Sequence, residues 1–355
     1  MKKIILTSAF IILTIALSGL SHAKVTGACY NCHTMHNSQG GAEMAYQLKA
    51  TLGGFEPDQT PNPSLLITNC IGCHSATDSA IWKDPTTGAP IVFNTGGPNF
   101  NTPKGLAGGN FYYVSGTVDN TGHNIFSTNP DGTLFNTPPG GTALTAQLRC
   151  AGTWGCHGHN GRQSGDTAIT DETRAIKGGH HGDDTPPLAR SLTDVAKNYR
   201  FLLGIKGKED TDWEKDYVKT SHNEYQGATN FTTNTTISFL CGECHGNSGV
   251  GGFHNSTGVG TASPWLRHPT DAVLKNSGEY AGYTIYDMIA PVARPDPDNV
   301  TDTTKVTPGT DIVMCLSCHR AHASPNYKMM RWRYKEGDTL SECLSGCNVC
   351  HRSKN

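Results

Sequence analysis

One long apolar run opens the chain, and none like it follows. Residues 4–20 are mostly apolar after a basic start at Lys2 and Lys3, and Ser21-His22-Ala23 puts small residues at −3 and −1. This is the layout of a secretory signal peptide cleaved after Ala23, so 1–23 is set aside and 24–355 is the mature chain. A membrane anchor is the alternative, but Thr7, Ser8, Thr14 and Ser18 interrupt the run. No other segment approaches the ~20 apolar residues of a spanning helix, so no membrane span is expected. The remaining hydrophobic positions come in short groups. They predict strands over 142–149 and 232–240, each running into a cysteine, and helices over 41–52, 171–177 and 270–276. Thr170-Asp171-Glu172 reads as an N-cap with an acidic first turn, and Gly178-Gly179 as the stop of that helix. Between these lie turn-rich stretches such as "NTGGPNFNTPKGLAGGN" and "RPDPDNVTDTTKVTPGT", which predict a mostly irregular chain.

Composition sharpens the picture. Only 36% of residues are hydrophobic and 8% aromatic, while 41 glycines and 19 prolines make up about a sixth of the chain. That leaves little material for an ordinary core, so something other than side chains must fill the interior. Without Lys2 and Lys3 the balance is 26 positive against 30 negative residues, a net −4. Such a chain carries no electrostatic footprint for nucleic acid.

The cysteines supply the missing material. Thirteen in an exported chain would suggest disulfides. Yet Cys29/Cys32, Cys70/Cys73, Cys241/Cys244, Cys315/Cys318 and Cys347/Cys350 are all spaced C-x-x-C, and His33, His74, His245, His319 and His351 follow directly. C-x-x-C-H is the signature of covalent c-type haem attachment, in which two thioethers fix the porphyrin edge and the adjacent imidazole reaches the iron. Zinc ribbons share the cysteine spacing, but zinc coordination does not ask for histidine at the next position. "CAGTWGCH" is a widened version, with Cys150 and Cys156 ahead of His157. The loop between two thioethers can bulge outward, so a sixth haem c is expected there. Cys343 is left over: a spare thiol, an intermolecular disulfide partner, or a substitute for Cys347.

Six haems need twelve axial ligands. Beyond the six proximal histidines, nine remain in the mature chain: His36, His123, His159, His180, His181, His222, His254, His268 and His322. This surplus predicts bis-histidine iron, closed to substrate and suited to low-potential electron transfer. His36 and His322 stand in matched C-x-x-C-H-x-x-H strings. His254 follows the glycine-rich "GNSGVGGF", His268 precedes a stiffening Pro269, and His123 sits in a turn. "HHG" delivers the sixth distal ligand at the exit of the 171–177 helix, with His181 favoured over His180 and with His159 and His222 in reserve. Three residues span at most ~10 Å. A histidine three places after its proximal partner therefore cannot pass round the porphyrin rim, and His36 and His322 must each serve a different iron.

The segments "CHTMHNSQGGAEM", "GHN", "GFHNS…LRHP", "CLSCHRAHAS" and "CNVCH", in this order, make the chain resemble the multihaem c-type cytochromes of metal-reducing bacteria, most closely the hexahaem outer-surface nanowire cytochromes of the OmcS type. The widened Cys150–Cys156 site, "KGGHHG" and Cys343 depart from that pattern. The resemblance implies a multihaem cytochrome c fold, an irregular chain with a few short helices and strands wrapped around a stacked haem array. It also implies an extracellular or cell-surface filament of identical subunits, in which His36 completes the haem on Cys315, Cys318 and His319 of the next subunit. The alternative is that His36 ligates a haem of its own chain.

Three function classes follow. The first is a conductive filament subunit that passes electrons to redox partner proteins or extracellular acceptors. The second is a monomeric periplasmic or surface carrier of the same chemistry. The third, a multihaem reductase, needs an open iron, often marked by C-x-x-C-K, and no such string occurs here; an enzyme is not expected.

Overall fold

The structure is a computed structural model that describes residues 28, 38–39, 42–43, 46–48, 55–57, 70–98, 105–114, 121–125, 138–141, 144–181, 190–246, 267–334 and 337–352. The signal-peptide segment, Cys29, Cys32, His33, His36 and His254 lie outside these residues.

Regular structure is sparse, as the composition predicts. Among the described residues there are five α-helices: α1 (Ile71–His74), α2 (Glu172–Ala175), α3 (Ile237–His245), α4 (Leu340–Leu344) and α5 (Cys347–Cys350). The strands are two or three residues long and join only as five two-stranded ladders. One ladder is parallel, Ser75–Ala76 with Phe93–Asn94. The others are antiparallel, among them Gly207–Lys208 with Glu224–Tyr225 and Ala272–Val273 with Ile312–Val313. No helix among the described residues is long and apolar enough to cross a membrane.

Helix α2 forms where the sequence predicts it. The Asp171 carboxylate accepts from the N–H groups of Thr173 and Arg174 at 3.0 and 3.1 Å, the N-cap bonds that such a start requires. Gly178 then takes φ +82° and its N–H returns to the Thr173 carbonyl at 2.5 Å, which stops the helix.

Four expectations are corrected. Residues 232–240 do not form a strand: Asn230 Oδ1 accepts from the Thr232 N–H and hydroxyl at 2.9 and 2.7 Å, and Thr236 caps α3 by accepting from Phe239 N–H at 3.1 Å. The hydroxyls that suggest strand propensity are spent on a turn and a cap. The described part of 142–149 is also irregular, because Gln147 donates to the Asn124 carbonyl at 2.8 Å while Leu148 packs on a core cluster. The predicted helix at 41–52 is replaced by strands Ala42–Glu43 and Tyr46–Leu48, paired with Ser38–Gln39 and Phe55–Pro57. Gly40-Gly41 lies between the first pair, the dipeptide that favours a two-residue hairpin. The predicted helix at 270–276 is overridden by the ladder to Ile312–Val313, which Asp271 enters at φ +55°; tertiary pairing outweighs local propensity there.

Among the described residues the core is split into four clusters, three of them built against an attachment cysteine. Ile71, Phe93, Phe111, Val114, Ile125 and Ala323 pack against Cys150. A second cluster around Tyr199, Tyr225, Ile237 and Met314 meets Cys156, and a third around Tyr283, Tyr286, Met288 and Val349 meets Cys350. The apolar surface is thus gathered around thiols rather than in one continuous centre.

Candidate functional site

Five attachment segments are described, and a backbone bond from the histidine to the first cysteine recurs among them. In the regular motifs His74, His319 and His351 each donate from the backbone N–H to the carbonyl of their first cysteine, at 3.0, 3.1 and 2.9 Å. The widened site makes the same bond: His157 N–H donates to Cys150 O at 3.0 Å. Its three extra residues leave the turn as a side loop. Gly152 at φ +78° turns that loop, and Gly155 packs so close to the Ala151 backbone that a Cβ would stand 2.5 Å away. Cys150, Cys156 and His157 therefore present themselves much as a C-x-x-C-H segment does.

Four pairs of imidazoles face one another. Ring centroids are 5.9 Å apart for His74 and His181, 6.3 Å for His157 and His322, 5.9 Å for His245 and His123, and 6.2 Å for His351 and His268. Each pair joins one histidine of an attachment motif to one from elsewhere in the chain. Two imidazoles on opposite sides of one metal, with bonds of about 2.0 Å, have centroids about 6 Å apart. Direct stacking is much closer, as in the 3.7 Å between His222 and Tyr286. The four pairs match the spacing that a shared metal would set, which edge and offset ring contacts also reach. Their interplanar angles run from 21° to 90°, and rotation about a common axis would leave the spacing unchanged.

The ring tautomers suit ligation. Nδ1 of His74, His157, His123, His268 and His319 faces the carbonyl of Pro90, Arg200, Ala321, Pro269 and Lys328 respectively, at 2.7–2.8 Å. A carbonyl only accepts, so Nδ1 carries the proton and the Nε2 lone pair is left for a metal. His245 and His181 make longer versions of this bond to Pro139 and Gly178, at 3.1 and 3.2 Å. His351 Nδ1 instead stands 3.1 Å from Glu279 Oε1. Burial, then the neighbouring His245, holds His123 down to about 4, and burial with His157, His123 and His74 holds His322 down to about 3. Both rings are thus neutral at physiological pH, the form a metal requires.

Thiols of successive sites meet in chain order. Cys70 and Cys150 share a cluster with Glu172 in which the ligand atoms lie within 4.8 Å. Cys156 lies close enough to Cys244 to feel its charge, the Cys241 and Cys315 thiols hydrogen-bond, and Cys318 feels Cys350 and Cys347. None of the described cysteines forms a disulfide, Cys343 included. The second to sixth motifs form one unbroken row, and the residues present fit covalent haem at each.

His180 is exposed, and it is His181 that faces His74. The reserve histidines stand apart. His159 Nδ1 is 2.7 Å from Asp166 Oδ1. Both His222 nitrogens are committed, to the Asn223 and Thr303 carbonyls at 3.0 Å each. His222→Ala is therefore expected to lower stability by about 2 kcal/mol through lost bonds and stacking while leaving the haem spectrum unchanged; His322→Ala should turn one haem high-spin. Thermal melts and absorption spectra of the two variants check this.

Sequence reasoning missed the supports of these rings. Phe111 stacks on His322 at 4.7 Å, and Gly108 leaves room for that imidazole, since a Cβ would stand 2.9 Å from its Nδ1. The His123 N–H also bonds to the His322 carbonyl at 2.9 Å, tying two of the opposed rings together. A lone phenylalanine or glycine gives no signal of such a role.

No protein-family model matches the chain. The C-type cytochrome OmcS of Geobacter sulfurreducens is 28% identical over 394 residues, covering 92% of this chain and 84% of that protein. Two solved structures from the same organism, an outer membrane cytochrome S filament and OmcS nanowires seen by cryo-EM, each cover 94% of this chain and all of their own. Their identities are 21% and 22%, and the TM-score is 0.44 in both cases. The likeness suggested by scattered motifs thus extends over most of the sequence, and the chain resembles the OmcS-type multihaem c-type cytochromes.

Proposed function

We propose that this chain is an electron-transfer protein that carries six covalent haem c groups and polymerises into an extracellular conductive filament. The observation that carries the reading is the set of four opposed imidazole pairs, each with one motif histidine. Haem c supplies a one-electron iron couple. The residues of this chain do the rest. Cys29, Cys32, Cys70, Cys73, Cys150, Cys156, Cys241, Cys244, Cys315, Cys318, Cys347 and Cys350 fix the six groups. His33, His74, His157, His245, His319 and His351, with His36, His123, His181, His254, His268 and His322, would ligate the irons. Two imidazoles per iron leave no position for substrate, so the protein is read as a carrier and not a reductase. The Cys70 and Cys150 thiols, and those of Cys241 and Cys315, lie together and keep their sites close, as hopping between them requires. The filament comes from the likeness to OmcS.

Intact-mass measurement and electron microscopy of purified protein test the proposal. The expected results are six haems on a chain beginning at Lys24, all low-spin, in filaments. Five haems would remove the Cys150–Cys156 site from the count. Monomers with six low-spin haems would leave a soluble carrier of the same chemistry. A large high-spin EPR signal would overturn the closed-iron assignment.

A further inference from the structure

The attachment sites differ in what stands behind their motif histidines. His74, His157, His245 and His319 turn Nδ1 to the carbonyls of Pro90, Arg200, Pro139 and Lys328, at 2.8, 2.8, 3.1 and 2.8 Å. His351, in the sixth segment, has a carboxylate there instead. Its Nδ1 stands 3.1 Å from Glu279 Oε1, with the two side chains only 15% and 17% exposed.

The fold builds this contact. Glu279 is the middle residue of the short 3-10 turn Gly278–Tyr280, which Gly278 opens at φ +62°. The Arg352 N–H donates to Glu279 O at 3.1 Å and fastens that turn to the residue after His351. Gly282 leaves room for the Arg352 stem, since a Cβ would stand 3.3 Å from its Cδ. The Arg352 guanidinium turns to Val349 O at 3.3 Å and to the Tyr283 ring at 6.0 Å. The Tyr280 ring lies 4.9 Å from that of His351. Its phenol also bonds the Glu279 side chain, and burial, then that carboxylate, pushes the phenol up. The His351 N–H does not aim straight at the acid oxygen. The carboxylate therefore acts on the ring through its charge at short range, and a small turn of the ring completes the bond.

We propose that Glu279 makes His351 a stronger electron donor and lowers the reduction potential of the haem on Cys347 and Cys350, so that electrons move on from that site rather than rest there. A carboxylate behind a ligating histidine draws its Nδ1 proton and raises the basicity of Nε2 more than a neutral carbonyl does. A more basic ligand favours the oxidised iron, which carries the extra positive charge, and the carboxylate's own charge works in the same direction. The inference rests on the haem reading of this site. Nothing in "NSGEYAGY" marks Glu279, because it meets His351 across 72 residues of chain.

Spectroelectrochemical titration and EPR of the assembled protein test it, once intact mass confirms the haem count of each variant. Glu279→Gln keeps the size and removes the charge. It should move one component to higher potential and change the g-values of one haem, with every iron still low-spin. That haem should be the one that His268→Ala turns high-spin, since His268 faces His351. Tyr280→Phe takes a donor from the carboxylate and should move the same component to lower potential. The proposal fails if Glu279→Gln moves no component or moves one downward, if the two variants shift it in the same direction, or if the haem that moves is one His268→Ala leaves untouched. Should Glu279→Gln not fold, Tyr280→Phe decides alone, and an upward shift or none overturns the idea. A parent chain lacking haem on Cys347 and Cys350 would instead overturn the haem reading itself.

Discussion

Chain made in a host that cannot attach haem should remain unfolded, with no cooperative thermal transition and rapid loss to protease, while the haem-loaded protein resists both. The longest helix among the described residues has nine residues, below the ~12–15 at which isolated helices become even marginally stable in water. The strands are two or three residues long in isolated pairs, short of the three-stranded minimum for independent stability. Three of the four apolar clusters abut an attachment cysteine, so the positions where porphyrins would attach border them. Order of assembly points the same way. Burial, with neighbouring thiols, pushes Cys156, Cys318 and Cys350 up to about 12 in the folded chain, which leaves them inert as nucleophiles at neutral pH. Attachment therefore belongs to the extended chain, and folding follows it. Far-UV circular dichroism and limited proteolysis of the two forms provide the measurement. A sharp melting transition in the haem-free chain would show that side chains alone suffice.

What the sequence made legible is the chemistry that local spacing encodes. C-x-x-C-H is contiguous, so its geometry follows from one turn of backbone. The Asp171 cap and the Gly178 stop are equally local, and α2 appears where they place it. Strand and helix type elsewhere was misread, because each element is only a few residues long and its partner decides it. The threonines before α3 look like strand residues until the Asn230 turn and the Thr236 cap claim them. The segment entering Ala272–Val273 looks helical until the ladder to Ile312–Val313 forms. The histidines that face a motif histidine, His123, His181, His268 and His322, are ones that a turn or a string marks in the sequence. Which motif each one faces could not be read, since His322 meets His157 across 165 residues of chain.

Replacing His36 with alanine should dissolve the filament and leave subunits in which one haem of six is high-spin. His36 lies outside the described residues, so the expectation rests on reach and on a parallel. Three residues extend at most ~10 Å, too short for His36 to pass the rim of the haem that His33 ligates. The matched string at the fifth site behaves as that limit requires: His322, three residues after His319, faces His157 of another motif. His36 stands thirteen residues into the chain that begins at Lys24, in the first of the six motifs. We propose that its iron is the one on Cys315, Cys318 and His319 of the next subunit. A coordination bond across the joint would make assembly and spin state a single property. His36→Ala should then lose both together, and added imidazole should restore the low-spin spectrum without restoring filaments. Electron microscopy and EPR on the same sample measure the two. Filaments of the variant with all six haems low-spin would place the joint elsewhere, and intact monomers with a sixth haem still low-spin would return His36 to a haem of its own chain.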